Sequence, residues 1–296
     1  MILITGAAGK TGKAVLRKLS EHGRMVKALV FRPEQVQEIN ALGANEVVVG
    51  DIRNLDFIHT ALKGVHSVYF ICPNVHPEEI SIGEAIIDAA SAVRIKHFVY
   101  HSVLHPQIEA MPHHWKKLRV EERLFASGLP FTILQPAVYM QNILANWNNI
   151  MNTGKYVIPY SVESRISFVD LEDVAQTAAI VLTDSYKGEN QSAHVGATYE
   201  LVGTPAMSQI DIASILSRFL SHPVIAESIS CDTWEMKAIN AGLSDYQVST
   251  LVKMFNYYDR YGLVGNSQTL SWLLKRPPTS LDSFIERVVQ HRLYYA

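Results

Sequence analysis

The chain has little cysteine, no long apolar run and almost no excess of charge. Only two of its 296 residues are cysteines, Cys72 and Cys231, and they lie far apart and outside any C-x-x-C spacing. This usage suits a reducing cytoplasm, in which both thiols are expected to be buried or half-buried. No stretch approaches the roughly 20 apolar residues that span a bilayer. Because the sequence begins directly with an apolar strand pattern, no signal peptide is expected.

The balance of charge excludes one class of partner. Lysine and arginine total 26, aspartate and glutamate total 28, and the formal net charge is −2. Such a chain has no positive field with which to bind nucleic acid directly. Its hydrophobic content of 48% allows an ample core, and its length allows one large domain or two small ones. We therefore expect a cytoplasmic globular protein.

A glycine turn follows the first apolar run. Residues 2–5 have a strand pattern, glycines spaced G-x-x-G-x-x-G run from Gly6 to Gly12, and a helical pattern begins at Ala14. A strand, a tight turn and a helix N-terminus in this order bring backbone N–H groups against a pyrophosphate. The alternative is a turn whose glycines serve backbone geometry alone. We favour a dinucleotide site because a second predicted strand, residues 25–31, follows the helix.

The residue after the second strand selects the dinucleotide. An acidic residue at that point would hydrogen-bond the ribose 2′-hydroxyl of NAD. Here Arg32 follows the strand, 20 residues after Gly12, and its forked donors suit a 2′-phosphate. Lys10, within the glycine turn, adds a second positive charge. We predict NADP(H) rather than NAD(H); the alternative is that Arg32 is a solvated surface side chain.

The first 136 residues alternate apolar strand patterns with amphipathic helical patterns. This alternation is typical of an α/β fold with a doubly wound parallel sheet, the Rossmann arrangement. We assign residues 1–136 to a dinucleotide-binding domain, to which segments around 155–202 return. Further strands are predicted at 46–49, 67–71, 97–102 and 131–134, and helices at 80–93 and 116–127.

The pattern changes after about Val138, and residues 137–296 are assigned to a smaller, mainly helical C-terminal substrate domain. Asp170 and Asp173 have capping-box spacing, as do Asp232 and Glu235, so helix caps are favoured over catalytic carboxylates. The helices after residue 205 could shape a substrate pocket or form an interface, such as that of a homodimer. Helices are predicted at 139–151, 170–182, 208–220, 232–241 and 246–258, and short strands at 155–159, 166–169 and 199–202.

Histidines cluster in one part of the sequence. Five of the twelve lie from His97 to His114, and four of these follow the fifth strand, at residues 101, 105, 113 and 114. The ligand crevice of an open α/β sheet lies at that end of the strand. Three roles stay open for these side chains: loop or pocket residues, a proton donor that titrates near neutral pH, or metal ligands.

His113, Lys117 and Glu121 recur every four residues, so a helix presents them on one face. If that face looks into the crevice, Lys117 can bond the nicotinamide ribose hydroxyls and lower the pKa of a neighbouring acid. The alternative is an ordinary i, i+4 surface pair between Lys117 and Glu121.

Eight short motifs follow one another along the chain. They are Thr5-Gly-Ala-Ala-Gly-Lys-Thr-Gly12, Val30-Phe-Arg32, Gly50-Asp51, His97-Phe-Val-Tyr100, Lys117-x-x-x-Glu121, Gly128-Leu-Pro-Phe-Thr-Ile-Leu-Gln-Pro136, Phe168-Val-Asp-Leu-Glu-Asp-Val-Ala175 and Tyr199-Glu-Leu-Val202. With these motifs the sequence resembles the NmrA-like branch of the short-chain dehydrogenase/reductase superfamily, over nearly its whole length. The resemblance implies a protein that binds NADP(H) or NAD(H).

The resemblance also implies where the dinucleotide contacts the chain. By the family pattern, Asp51 and Ile52 lie near the adenine, Cys72 and Pro73 lie beside the adenosine ribose and the pyrophosphate, and residues 136–139 approach the nicotinamide. The candidate cofactor-binding residues are Gly6, Ala8, Gly9, Lys10, Thr11, Gly12, Arg32, Asp51, Ile52, Cys72, Pro73, Lys117, Pro136 and Tyr139.

The chain departs from the superfamily at the positions that handle protons. Reductases of the superfamily use a Tyr-x-x-x-Lys pair with a serine after the fifth strand. Here His113 holds the tyrosine position, and Val103 aligns with the serine while Ser102 stands one step early. These departures argue against standard alcohol–ketone chemistry.

Members of the branch that resemble this chain reduce quinones or triphenylmethane dyes, acceptors that need a hydride and little enzyme-directed proton transfer. We therefore predict an NADPH-dependent reductase whose partner is a small-molecule electron acceptor of quinone-like or conjugated type. The candidate catalytic residues are Lys117 and His113, and the candidate substrate residues are His114, Tyr139, Asn142 and Tyr160. The alternative is a non-catalytic redox sensor that reports the state of the dinucleotide to a protein partner.

Overall fold

The computed structural model describes residues 1–184 and 193–291. Its strands are β1 (Ile2–Ile4), β2 (Val26–Val30), β3 (Glu46–Val49), β4 (Ser67–Phe70), β5 (His97–His101), β6 (Phe131–Pro136), β7 (Val138–Tyr139), β8 (Lys155–Ile158), β9 (Phe168–Val169), β10 (Ala197–Leu201) and β11 (Ile225–Ser228). Its helices are α1 (Lys10–Glu21), α2 (Val36–Ala41), α3 (Leu55–Ala61), α4 (Glu79–Ala92), α5 (Pro112–Phe125), α6 (Trp147–Thr153), α7 (Leu171–Asp184), α8 (Gln209–Leu220), α9 (Cys231–Asn240), α10 (Asp245–Tyr261), α11 (Gln268–Leu274) and α12 (Leu281–His291). Residues Pro33–Gln35 and Met140–Asn146 form 3₁₀ helices.

A seven-stranded sheet has the order β10-β6-β5-β4-β1-β2-β3. All neighbouring pairs from β6 through to β3 are parallel. The strand order reverses at β1, which lies between β4 and β2, so the crevice of this sheet is expected at the carboxyl ends of β1 and β4. The predicted doubly wound α/β fold is therefore confirmed.

The central strands are buried along their whole length and mostly apolar, because both of their faces are covered. Every residue of β1 and β2 is buried, and so is every residue of β4 and β5. Aromatic side chains fill one side of the core, where the rings of Phe70 and Tyr100 stack with their centroids 5.4 Å apart. The sheet thereby provides a rigid platform for the residues at its strand ends.

Two compact units share the chain. The first consists of Met1–Gln107, His113–Gln135 and Val174–Tyr199. The second consists of Ile108–Pro112, Pro136–Asp173 and Glu200–Ala296.

Within the first unit, helices α4 and α5 approach closely at a glycine. A Cβ placed on Gly83 of α4 would lie 2.6 Å from a methyl group of Val120 of α5, so a larger residue at Gly83 would push the helices apart. One turn before Gly83 is Glu79, and one turn before Val120 is Lys117. The glycine contact thus brings the first turn of α4 near the middle of α5.

The second unit has small parallel strand pairs, β8 with β11 and β7 with β9. Two buried aspartates stabilise the first turn of α7: Asp170 lies 2.6 Å from Arg287, and Asp173 lies 2.6 Å from Arg276. Asp170 also accepts a hydrogen bond from the Glu172 N–H, as a helix cap does. The prediction that Asp170 serves as a helix cap is confirmed.

Two local predictions were wrong. A single helix over 139–151 does not form: Tyr139 pairs with Val169 in the β7–β9 ladder, and only then do a 3₁₀ helix and α6 follow. The cap of α9 is not Asp232 but Ser230, whose Oγ accepts from the Thr233 N–H at 3.2 Å. Because α9 begins at Cys231, Ser230 occupies the N-cap position that Asp232 was expected to hold. Across the described ranges, no helix combines the length and the apolar character that a membrane crossing requires.

Candidate functional site

The glycine turn between β1 and α1 is built for a close approach of backbone. Gly6 has a left-handed φ of +57°. A Cβ placed on Gly12 would lie 2.3 Å from the Gly6 carbonyl oxygen and 2.7 Å from Cα of Ala7, so only glycine fits at position 12. Gly9 caps α1 in an extended conformation, and the first turn of α1 contains no acidic residue. The turn therefore leaves helix N–H groups and a positive helix end open to an anion.

A threonine fastens this turn to the neighbouring strand. The Thr5 hydroxyl donates to the Ile71 carbonyl at 2.8 Å and accepts from the Ile71 N–H at 2.8 Å. Ile71 also lies against Gly6, where an added Cβ would be 3.4 Å from the Ile71 carbonyl oxygen. The sequence carries no signal for this contact, because Thr5 and Ile71 are 66 residues apart.

The candidate charges for a phosphate lie at the exposed end of the sheet. Arg32 lies two residues after the end of β2, and its backbone N–H donates to the Gln35 side chain at 3.0 Å. Within residues 1–184 and 193–291 the Arg32 guanidinium is exposed and has no hydrogen-bond or ion-pair partner. Lys10 is exposed at the first position of α1, and Ala8 and Thr11 beside it are half-buried.

Asp51 is held by its neighbour Arg53. The guanidinium donates to Asp51 through Nε at 3.0 Å and through Nη2 at 2.6 Å, and this hydrogen bonding lowers the pKa of the Asp51 carboxyl. Arg53 also reaches Glu78 at 3.3 Å. Ile52 between them is buried.

The segment after β4 contains a buried thiol. Cys72 is buried and free, and burial raises the pKa of its thiol, so it stays a protonated, unreactive group. Pro73 beside it is exposed. Cys231 is half-buried, so both thiols have the burial that the sequence predicts.

Lys117 forms an ion pair that the sequence does not reveal. Its ammonium lies 2.5 Å from Oε1 of Glu79, a carboxylate that is 1% exposed. The lysine side chain is only 16% exposed and lies over the ring of Tyr100, 5.6 Å from its centroid. The alternative of a surface pair with Glu121 is therefore wrong, because Glu121 is buried and has other partners.

Those partners are Ser102 and Gln135. The Ser102 hydroxyl donates to Glu121 Oε1, and the Gln135 amide donates to both carboxylate oxygens at 2.9 and 3.1 Å. Burial raises the pKa of Glu121, and the hydrogen bonds from these two partners oppose that shift. Ser102, the serine that stands one step early in the sequence, is thus hydrogen-bonded to Glu121 within the first unit.

Three histidines at or beyond the end of β5, His101, His113 and His114, are neutral at neutral pH. Burial lowers the pKa of His101 and of His114 to about 3, and that of His113 to about 4. The expectation of an imidazolium that donates a proton near neutral pH is therefore wrong for these three. His101 is hydrogen-bonded to the Tyr69 hydroxyl at 2.8 Å, and His114 Nδ1 to the His105 carbonyl at 3.2 Å.

His113 differs from its neighbours. Its Nδ1 is buried and has no hydrogen-bond partner among the described residues, although its ring contacts that of His114 at 4.5 Å. A neutral imidazole still presents one N–H donor, so His113 can donate a hydrogen bond without carrying a charge. In the described part of the chain, no three His, Cys, Asp or Glu side chains are grouped as metal ligands.

A model of the NmrA-like family matches residues 1–290. The chain belongs to the NmrA-like family. It is 27% identical to the NAD(P)H azoreductase of Xenophilus azovorans over 286 residues, which cover 96% of each protein. The solved structure of the NADPH-dependent quinone oxidoreductase QOR2 of Escherichia coli, complexed with NADPH, superposes with a TM-score of 0.83 at 26% identity, covering 97% of this chain and 99% of that one.

The fold of this NmrA-like protein occurs in proteins of different function. The structure of NmrA, a negative transcriptional regulator, in complex with NADP has a TM-score of 0.73 at 17% identity, with 98% of this chain and 96% of that one covered. At that identity the likeness shows the fold alone, and a fold does not decide between a reductase and a regulator.

The other candidate residues of this NmrA-like chain belong to the second unit and stay predictions. Pro136 ends β6, Tyr139 ends β7, and Asn142 is exposed in the 3₁₀ helix that follows. Tyr160 packs against Tyr258 with ring centroids 5.8 Å apart, and burial raises the pKa of its hydroxyl.

Proposed function

We propose that this protein is an NADPH-dependent reductase of quinone-like or other conjugated electrophiles. One observation carries the proposal: the backbone of the turn from Gly6 to Gly12 packs too closely for any side chain at Gly12, and the turn leads into the N-terminus of α1, whose first turn contains no acidic residue. Such a turn suits the pyrophosphate of a dinucleotide. Full-length likeness to an NAD(P)H azoreductase and to an NADPH-dependent quinone oxidoreductase supports the reaction class.

The charges near the turn favour the phosphorylated cofactor. Arg32 stands where an acidic residue would read an unmodified ribose, and its guanidinium has no other partner in the described ranges. Lys10 adds a cation at the start of α1. We assign the 2′-phosphate to Arg32, with Lys10 as a second contact.

The remaining candidate residues of the first unit fit the rest of the molecule. The N–H groups of Gly6, Ala8, Gly9, Thr11 and Gly12 are assigned to the pyrophosphate. Asp51, Ile52, Cys72 and Pro73 are assigned to the adenosine, and Lys117 to the nicotinamide ribose. When bound, NADPH supplies a hydride to the acceptor.

The protein itself supplies position more than proton transfer. Reduction adds a hydride and a proton to the acceptor, and a neutral His113 with a pKa of about 4 has no spare proton to give at neutral pH. We therefore assign the proton to solvent, and assign to His113 a hydrogen bond from its neutral ring to the acceptor. His114 is held against the His105 carbonyl and fixes the ring of His113.

The test is NADPH consumption by the purified protein against a panel of quinones, azo dyes and triphenylmethane dyes. Turnover is expected with at least one class, and Lys117→Met should lower it while thermal melting shows that the variant is folded. A protein that binds NADPH tightly and reduces none of these acceptors would overturn the reductase. The function would then be that of a sensor, which must bind the oxidised and reduced dinucleotides with different affinity.

A further inference from the structure

We propose that Glu79 is a positioning residue for Lys117, whose ammonium it holds in place to contact the nicotinamide ribose. The inference rests on the proposed function, because it needs a dinucleotide to be bound. No motif or spacing in the sequence points to Glu79, because it lies 38 residues before Lys117.

Glu79 is placed to keep a negative charge inside the protein. It is 1% exposed, and it is the first residue of α4, where the positive end of the helix favours an anion. The Tyr100 hydroxyl donates to Oε1 of Glu79 at 3.4 Å. Over the described residues, Lys117 is the single cation paired with this carboxylate.

The two helices hold the pair in a defined position. Gly83 lets α4 and α5 approach to side-chain contact with Val120, one turn further along each helix than the ion pair. Lys116, next to Lys117, donates to the Pro77 carbonyl just before α4 at 2.7 Å. The middle of α5 is therefore attached to the start of α4 at two neighbouring points.

An ion pair of this kind orders a flexible side chain without using all of its donors. A lysine ammonium has three N–H donors, and the contact at 2.5 Å with Glu79 occupies one of them. The other two remain for ligand hydroxyls. Without Glu79, a largely buried ammonium would lose its hydrogen-bonded counter-ion and its fixed direction, so the dinucleotide would have to order the side chain when it binds.

The consequence differs from that of losing Arg32. The nicotinamide ribose is common to NADPH and NADH, so loss of the Glu79–Lys117 pair should weaken both dinucleotides alike. Loss of Arg32 should weaken NADPH selectively, since only NADPH carries the 2′-phosphate.

The experiment is a double-mutant cycle. The Kd of NADPH and that of NADH are measured for each variant of the full chain by fluorescence titration. Glu79→Gln and Lys117→Met are each expected to weaken both dinucleotides about 10-fold, and the double variant should be no weaker than Lys117→Met alone. Lys96→Met, which removes an exposed lysine at the amino end of β5, is the matched control and is expected to bind as wild type does. The proposal would be overturned if Glu79→Gln raised the Kd by the same factor in the wild type and in Lys117→Met, or if it left the Kd of the wild type unchanged.

A second variant keeps the test decisive if Glu79→Gln fails to fold. Glu79→Asp retains the charge but shortens the side chain by one methylene, so it should fold, recover part of the affinity lost in Glu79→Gln, and still bind more weakly than wild type. Wild-type affinity in Glu79→Asp would count against a positioning role. If the wild-type protein binds neither dinucleotide, the proposed function itself fails. If the wild type binds and turns over NADPH and Glu79→Gln matches it, only the role of Glu79 fails.

Discussion

The hydroxyl of Thr5 is hydrogen-bonded to both the carbonyl and the N–H of Ile71, each at 2.8 Å. One side chain thereby joins the end of β1 to the residue that follows β4. These are the two strands at which the order of the sheet reverses, so the contact fixes the width of the crevice edge beside the glycine turn.

Thr5→Val is expected to lower the free energy of unfolding by about 2–3 kcal/mol, because it leaves both backbone groups of Ile71 without their partner. Thr5→Ser, which keeps the hydroxyl, should lose less than half as much. Urea unfolding of the two variants measures the difference. Equal losses would mean that the methyl group, not the hydroxyl, stabilises the turn.

Arg32→Ala is expected to raise the Kd for NADPH by about 10- to 100-fold and to leave that for NADH nearly unchanged, since a charge-assisted contact to the 2′-phosphate is lost. Titration with both dinucleotides measures the selectivity. Arg94→Ala, which removes another exposed arginine, is the control and should change neither value. Equal weakening of both dinucleotides would remove Arg32 from the phosphate site.

His113→Ala is expected to lower turnover by less than about 10-fold while the affinity for NADPH holds, because a neutral ring supplies a hydrogen bond and not a proton. The pH profile of kcat should show no inflection assignable to His113 between pH 6 and 8, given its pKa of about 4. If turnover vanished in a variant that still bound NADPH, His113 would be a true general acid.

The buried histidines should make the protein acid-sensitive. The pKa values of His97 and His113 lie at about 4 and those of His101 and His114 at about 3, all below the ordinary value of 6.5. Between those values the unfolded chain binds more protons than the folded one. Their contribution to the free energy of unfolding is therefore fully present above about pH 6.5. It is lost as the pH falls, by up to about 1.4 kcal/mol per pH unit for each histidine.

The measurement is urea unfolding at pH 7, 6, 5 and 4.5. His97→Gln can keep a contact with Thr132. It should reduce the slope of the free energy of unfolding against pH by an amount that corresponds to up to one proton taken up on unfolding. His22→Gln, at an exposed position, is the matched control and should keep the wild-type slope. An unchanged slope in His97→Gln would contradict the assignment.

Asp170→Asn should lower the free energy of unfolding by about 2 kcal/mol, since it removes the charge of a fully buried carboxylate paired with Arg287 at 2.6 Å. Asp282→Asn breaks an exposed pair with Arg218 and should cost less than about 0.5 kcal/mol. Thermal melting compares them, and NADPH turnover of folded Asp170→Asn should equal that of wild type. A folded variant without turnover would show that Asp170 does more than cap α7.

Local patterns in the sequence determined the parallel α/β sheet, the glycine turn and the place of Arg32 after β2. They did so because strand and helix periodicity and turn glycines depend on residues close together in the chain. Even there, the helix predicted at 139–151 was wrong, since the pairing of Tyr139 with Val169 is not local.

Tertiary structure alone decided which partners the candidate residues have. It paired Lys117 with Glu79 rather than Glu121, turned Ser102 onto Glu121, and joined Thr5 to Ile71. It also made His113 and His114 neutral, because burial penalises their charged forms. Each of these outcomes depends on groups far apart in sequence that burial brings together, and no periodicity in the chain records which ones meet.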